Sequence, residues 1–215
     1  MNNLGKQSTS KRSSQSPDHV ERVGIFGGTF DPIHMGHLIL AEAALEELDL
    51  NRIIFIPAGV SPFKTSSPPS APPELRLEMV RRAIDSQKRF SVDDREIKRS
   101  APSYAIDTVH SLMNEHPGVR FFYLIGSDNL ADLGKWRSIT ELKELVDFAI
   151  LDRGGPNNFQ KGSMQVVHRR IDLSSSEIRT RCANRLSIRF MVPEAVYTAI
   201  MTNQPYRSSL IDAET

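Results

Sequence analysis

The amino-acid sequence predicts an α/β fold: a single domain built on a doubly wound parallel sheet with helices on both faces. Three observations predict it. Short apolar runs recur along the chain, VGIF at 23–26, RIIFI at 52–56 and RFFYLI at 120–125, and each stops at glycine or proline, as strands buried on both faces do. Between them lie stretches with apolar residues at helical spacing, so strands and helices alternate. The chain of 215 residues, 39% hydrophobic and 25% charged, is long enough to bury a sizeable core.

The elements follow in order. Residues 1–20 are polar and Ser-rich. They lack the apolar stretch of a secretory signal and read as a disordered tail; the domain proper is expected over 21–204, with a C-terminal tail over 205–215. Val23–Phe26 suits a buried strand. A helix is expected from Gly36 to Leu48, where Leu38, Ala41, Leu45 and Leu48 fall at helical spacing and Glu42, Glu46 and Glu47 sit between them. Arg52–Ile56 is the next strand, stopped by Pro57. From Ala58 to Pro73 the chain is rich in Pro, Ser and Thr with no hydrophobic period. Such a long loop in a compact domain is often functional. Glu74–Ser86 reads as a helix with Leu77, Val80 and Ile84 inward. Phe90–Val92 begins a strand or extended segment. Ser103–His116 is a helix with Ile106, Val109 and Met113 on one face, and Arg120–Ile125 is a strand. Ser138 and Glu141 suit a capping box for a helix to about Val146. Phe148–Leu151 and Gln165–Ile171 read as strands. Ser174–Ala183 and Pro193–Asn203 read as helices, the latter with Pro193 at its first position. There is no internal repeat. The alternation implies a Rossmann-like sheet, in which ligands sit outside the carboxyl ends of the strands. Chemistry is therefore sought just after each strand.

Composition excludes several classes. Lys+Arg is 27 and Asp+Glu is 26, a net charge of +1, which argues against a nucleic-acid binder. Cys182 is the only cysteine. It makes no internal disulfide and no Cys-rich metal centre, and it fits a reducing, cytoplasmic setting. No apolar run approaches the ~18–20 residues of a membrane helix.

The first strand runs into GGTFDPIHMGH. Gly27 and Gly28 permit a tight turn and a close backbone approach to an anion. His34 and His37 are three apart, on one face if a helix starts here, at an end whose macrodipole favours bound anions. Two imidazole donors there suit phosphate oxygens. A metal reading of HxxH needs a third ligand; Asp31 offers one, or it caps the turn before Pro32, and no metal site is assigned. The pattern is neither a Walker A loop nor the GxGxxG dinucleotide fingerprint.

These residues resemble the signature of the nucleotidyltransferase superfamily that shares an HxGH motif with class I aminoacyl-tRNA synthetases. That superfamily has a second, ISSTxIR-like motif late in the chain, and here Leu173 to Arg179 (LSSSEIR) stands in its place. Within the superfamily, PAGVSPFK at 57–64, PSYAIDT at 102–108, FYLIGSDNLADLGKWR at 122–137 and the late VPEAVYTAI resemble bacterial nicotinate-nucleotide adenylyltransferase. The resemblance covers residues 22–203. The chain departs from the family pattern at Phe63 and Gly134, where His is usual, at Ala105, where Thr is frequent, and at Ser176, where Thr is common. Ala105 lacks a hydroxyl for the pyridine carboxylate, whereas a backbone N–H would survive the change.

The resemblance implies the joining of ATP and nicotinate mononucleotide to nicotinate adenine dinucleotide and pyrophosphate, with Mg²⁺ on the triphosphate. The nucleophile is already an ionised phosphate oxygen, so catalysis is expected to be positioning and charge stabilisation. His34, His37 and Arg179 are the implied catalytic residues. Gly27, Gly28, Thr29, Phe30, Gly36, Gly126, Asp128, Ser174 and Ser175 are implied for ATP, with Asp128 accepting from ribose hydroxyls and Ser174 with Glu177 forming a capping box. Lys64, Tyr104, Ala105 and Trp136 are implied for the mononucleotide, Trp136 by stacking on the pyridine. The alternatives are a preference for nicotinamide mononucleotide, or another HxGH nucleotidyltransferase. An amide needs an acceptor, and no unambiguous acidic acceptor stands beside Trp136. A non-enzymatic nucleotide-binding module predicts eroded phosphate-binding residues, and both His and the late Arg are present.

Overall fold

The computed structural model describes residues 20–60, 69–99, 102–154 and 164–207. Residues 1–19 of the expected tail, Lys64, Phe63 and the end of the C-terminal tail lie outside the described residues. Six strands form one parallel sheet: β1 (Arg22–Gly28), β2 (Arg52–Pro57), β3 (Phe90–Val92), β4 (Arg120–Gly126), β5 (Asp147–Asp152) and β6 (Gln165–His168). Their order is β3-β2-β1-β4-β5-β6. The chain steps outward from β1 to β3 and then returns to the other side of β1 as β4. Phe26 lies beside Leu124 across that junction, and Gly28 beside Pro57 of β2. At such a reversal the flanking connections leave on opposite faces, and a crevice opens above the strand ends.

The helices are α1 (Met35–Glu47), α2 (Pro73–Ile84), α3 (Arg95–Lys98), α4 (Ala105–Glu115), α5 (Ile139–Leu145), α6 (Ser175–Ala183) and α7 (Glu194–Asn203). Strand alternation builds two cores. Phe26, Phe55, Phe122 and Leu124 face α1, α2 and α7 on one side. Val23, Ile25, Phe121, Tyr123 and Ile125 face α4 and α5 on the other.

Several details differ from expectation, among them the short α3, where no element was expected. A 3-10 helix spans Ser127–Lys135, where no element was expected. Its three-residue turn aligns side chains at every third position, and Leu130, Leu133 and Trp136 accordingly all pack on the second core. Ser138 does not cap α5: its backbone is left-handed, φ 52, and its side chain makes no cap bond. Pro193 is the N-cap of α7, with extended ψ of 149, and not its first helical residue. β6 stops at His168, short of Ile171. Beyond the expected domain end at 204, Tyr206 is buried in the first core, so the packed body reaches further than the helical period of α7 indicates.

Candidate active site

Above the carboxyl ends of β1 and β4 lies a cleft of about 550 Å³. The β1–α1 loop forms its floor. A Cβ at Gly27 would stand 2.8 Å from the Tyr123 hydroxyl, so a side chain there would require the buried Tyr123 ring to shift. Gly28 and Thr29 line the cleft with Gly27. Phe30 adopts a left-handed backbone, φ 49; its ring is buried against Phe26 and Phe55, so it offers the cleft mainly backbone. Asp31 is buried, and its carboxylate accepts from the Ser70 and Ala71 amides at 2.8 and 3.1 Å and from the Tyr206 hydroxyl at 2.9 Å. The peptide bond to Pro32 is cis. Asp31 thus ties the loop to the 69–71 segment, and it is not oriented as a third ligand to His34 and His37.

The two imidazoles meet as the motif spacing predicts. His34 is the N-cap of α1, in extended conformation, and His37 is three residues on. Their ring centroids are 3.8 Å apart. His37 Nδ1 accepts the His34 amide at 3.2 Å, which leaves the proton of the neutral ring on Nε2. The His34 ring is 1% exposed, and among the described residues neither of its nitrogens has a hydrogen-bond partner. Burial, with a smaller contribution from the Arg153 charge, lowers its pKa from 6.5 to about 3. A buried imidazole is costly to leave unpaired, so this ring suits a hydrogen-bonding ligand. Gly36 makes room for it: a Cβ there would lie 3.0 Å from the His34 ring.

The late motif reaches the same loop. Ser174 caps α6, its Oγ accepting from the Glu177 amide at 3.1 Å. The Ser175 hydroxyl donates to the Pro32 carbonyl at 2.9 Å. Arg179 Nη1 donates to the Asp31 carbonyl at 2.8 Å and Nη2 to the Ser176 hydroxyl at 3.1 Å. The Arg179 side chain remains 33% exposed, so its charge is available at the cleft wall.

The far wall comes from β4 and α4. Gly126, Asp128 and Trp136 line it, with Tyr104 and Ala105 at the start of α4. Asp128 pairs with Arg153 at 2.8 Å. The half-buried Trp136 ring makes edge contact with Tyr123, centroids 5.4 Å apart. Arg137 lays its guanidinium over the Tyr104 ring, 4.8 Å from the centroid. The cleft therefore gathers every implied site residue that lies within the described ones.

Three arginines were missed. Arg153 sits just past β5, where the strand-end rule points, and Arg137 follows Trp136 directly. Arg76 gave no signal, because it reads as a polar position of an amphipathic helix. It is in fact fully buried. Its guanidinium donates to the Thr29 and Ala58 carbonyls at 2.6 and 2.8 Å, to Gly59 at 3.1 Å and to Ala71 at 3.3 Å, pinning the β1–α1 loop to its neighbours.

Comparison with known proteins agrees with this geometry. A family model described as cytidylyltransferase-like matches residues 25–181. A protein of Rubrobacter xylanophilus named "Probable nicotinate-nucleotide adenylyltransferase" is 38% identical, over 87% of this chain and 92% of its own. One of the same name from Herpetosiphon aurantiacus is 39% identical, over 87% and 99%. Among solved structures, nicotinic acid mononucleotide adenylyltransferase of Plasmodium falciparum complexed with NaAD superposes with a TM-score of 0.71 at 20% identity, covering 86% of this chain and 97% of that one. That likeness is one of fold.

Proposed function

Because the chain belongs to the nicotinate-nucleotide adenylyltransferase family of cytidylyltransferase-like enzymes, we propose how its own residues carry that family's reaction. ATP and nicotinate mononucleotide are joined to nicotinate adenine dinucleotide. A phosphate oxygen of the mononucleotide attacks the α-phosphorus of ATP, and the bond from that phosphorus to the bridging oxygen breaks, releasing pyrophosphate. The observation that carries the assignment is the convergence of the closely apposed His34–His37 pair and Arg179 on one cleft at the reversal of strand order.

The attacking phosphate oxygen of the mononucleotide is already largely ionised near neutral pH, so the chain needs no strong general base. It must hold two anions in line and stabilise charge on the leaving group. His34, kept neutral by burial, supplies a hydrogen bond and not a charge. His37 directs Nε2–H at the phosphates. Arg179 holds the β- and γ-phosphates, and the β1–α1 backbone from Gly27 to Phe30, with Gly36, Ser174 and Ser175, lines the nucleotide. Asp128 accepts from a ribose hydroxyl after yielding its contact with Arg153.

Mg²⁺ comes with the triphosphate. Among the described residues no three His, Cys, Asp or Glu side chains converge to hold an ion, and both Asp31 oxygens are occupied. Phosphate oxygens and water suit Mg²⁺ as ligands, and the bound ion would offset triphosphate charge.

The mononucleotide occupies the end of the cleft at Trp136, Tyr104 and Ala105, with Lys64 as a further phosphate ligand. The N-terminus of α4 favours an anion, and the Arg137 cation lies over Tyr104. Both favour the acid over the amide. The reaction is cytoplasmic on this reading, which the lone Cys182 supports; no helix among the described residues is long and apolar enough to cross a membrane.

The test is pyrophosphate release with ATP and Mg²⁺, run in parallel with nicotinate and nicotinamide mononucleotides, and repeated with His37→Ala. The acid should be strongly preferred. His37→Ala should lower kcat by about 10²–10³, the loss typical of one transition-state donor, with the circular dichroism unchanged. Equal use of the two substrates would remove the carboxylate assignment, and near-normal turnover of the variant would remove the histidine.

A further inference from the structure

Arg179 must meet two demands that pull against each other. It has to be held in place, and its charge has to stay available. The anion beside it is the Asp31 carboxylate, which is buried. Arginine and carboxylate so placed normally close into a short, bidentate pair. Here they do not. Arg179 Nη1 stands 4.0 Å from Asp31 Oδ2 and donates at 2.8 Å to the carbonyl of the same residue.

The carboxylate already has three donors of its own. Oδ2 accepts from the Ser70 amide at 2.8 Å. Oδ1 accepts from the Ala71 amide at 3.1 Å and from the Tyr206 hydroxyl at 2.9 Å. The first two donors are backbone and come from the loop before α2. The third arrives from the far end of the chain, just past α7, on a ring that is 5% exposed. Burial and the neighbouring Asp31 carboxylate raise the Tyr206 pKa far above its ordinary value, so the phenol keeps its proton and remains a donor.

We propose that Tyr206 is a positioning residue for the transfer reaction: its hydroxyl occupies Asp31 Oδ1, holds the carboxylate away from Arg179, and so leaves the Arg179 guanidinium anchored by neutral acceptors and free to bind the triphosphate. This rests on the reading that Arg179 holds the β- and γ-phosphates. Without the phenol, Oδ1 keeps only the Ala71 amide and the carboxylate is held by two backbone donors alone, so it can turn Oδ2, 4.0 Å from Arg179 Nη1, toward the guanidinium. The resulting ion pair then competes with ATP.

Tyr206→Phe keeps the buried ring and removes only the hydroxyl. Steady-state kinetics on the full-length enzyme, varying ATP and nicotinate mononucleotide separately, should show the KM for ATP rising about fivefold or more, the equivalent of one hydrogen bond, with the KM for the mononucleotide unchanged. In an Arg179→Ala background the same substitution should change nothing further. A purely structural role would lower thermal stability and move both KM values alike, or would persist without Arg179; either result overturns the proposal. Arg179→Ala alone separates the two readings. If it leaves the KM for ATP unchanged, the phosphate role of Arg179 falls and this proposal with it. If it raises that KM and Tyr206→Phe does not, only the role of Tyr206 falls.

Discussion

His34 illustrates how one residue's environment sets its chemistry. In an unfolded chain its imidazole titrates near 6.5; in the fold, burial lowers that to about 3. The folded state therefore binds fewer protons than the unfolded state between those values, and stability falls as pH falls through that window. The His34 contribution is fully present above about pH 6.5. At pH 5 it has lost about 2 kcal/mol. Denaturant titrations at pH 7 and pH 5 should show this loss, and a His34→Gln variant should show a shallower pH dependence; identical slopes would mean that the ring is not held neutral. At this scale the sequence reveals residues whose type announces their chemistry. The histidine pair, the late Arg179 and the glycines after β1 are visible because few residue types serve a phosphate at a strand end. Tyr206 is not visible. It lies past the last helical period, and its partner, Asp31, is recognisable only once the chain is folded.

Among elements, the strands were legible because runs such as RIIFI are short, rich in β-branched residues and stopped by proline or glycine. The 3-10 helix was not: Leu130, Leu133 and Trp136 repeat every third residue, a period that amphipathic helices do not keep over several turns. α2 was legible in its apolar face and misleading in its polar one. Arg76 turns inward from this helix to serve the β1–α1 loop, the end of β2 and the segment before α2 through four carbonyl bonds. Arg76→Ala would orphan those carbonyls inside the protein and should cost about 3 kcal/mol or more, with a rise in the KM for ATP because the loop that floors the cleft loses its anchor. Arg76→Lys restores charge without the fork, so it should recover only part of either loss. Equilibrium unfolding is the measurement. A loss below about 1 kcal/mol would show that the loops hold their shape without this arginine.

At the scale of the whole molecule, alternating strands and helices predicted a doubly wound sheet, and the family resemblance placed the site on it. The order of the strands is not written in any local pattern. It follows from which faces the helices cover, and it is what brings residues from both halves of the chain to one crevice. The bonds that join the late motif and the chain end to the β1–α1 loop span great lengths of sequence: 143 residues from Ser175 to Pro32, 148 from Arg179 to Asp31, and 175 from Tyr206 to Asp31. Closing such loops is entropically expensive before the sheet exists to bring the ends together. The site is therefore expected to form late in folding. During refolding from denaturant, far-ultraviolet circular dichroism should recover ahead of pyrophosphate-releasing activity; simultaneous recovery would show that both form in a single step. For a chain emerging from the ribosome, these same bonds set an order of events: the sheet can form from a nascent chain, but ATP finds a finished cleft only after the residues through Tyr206 have been released.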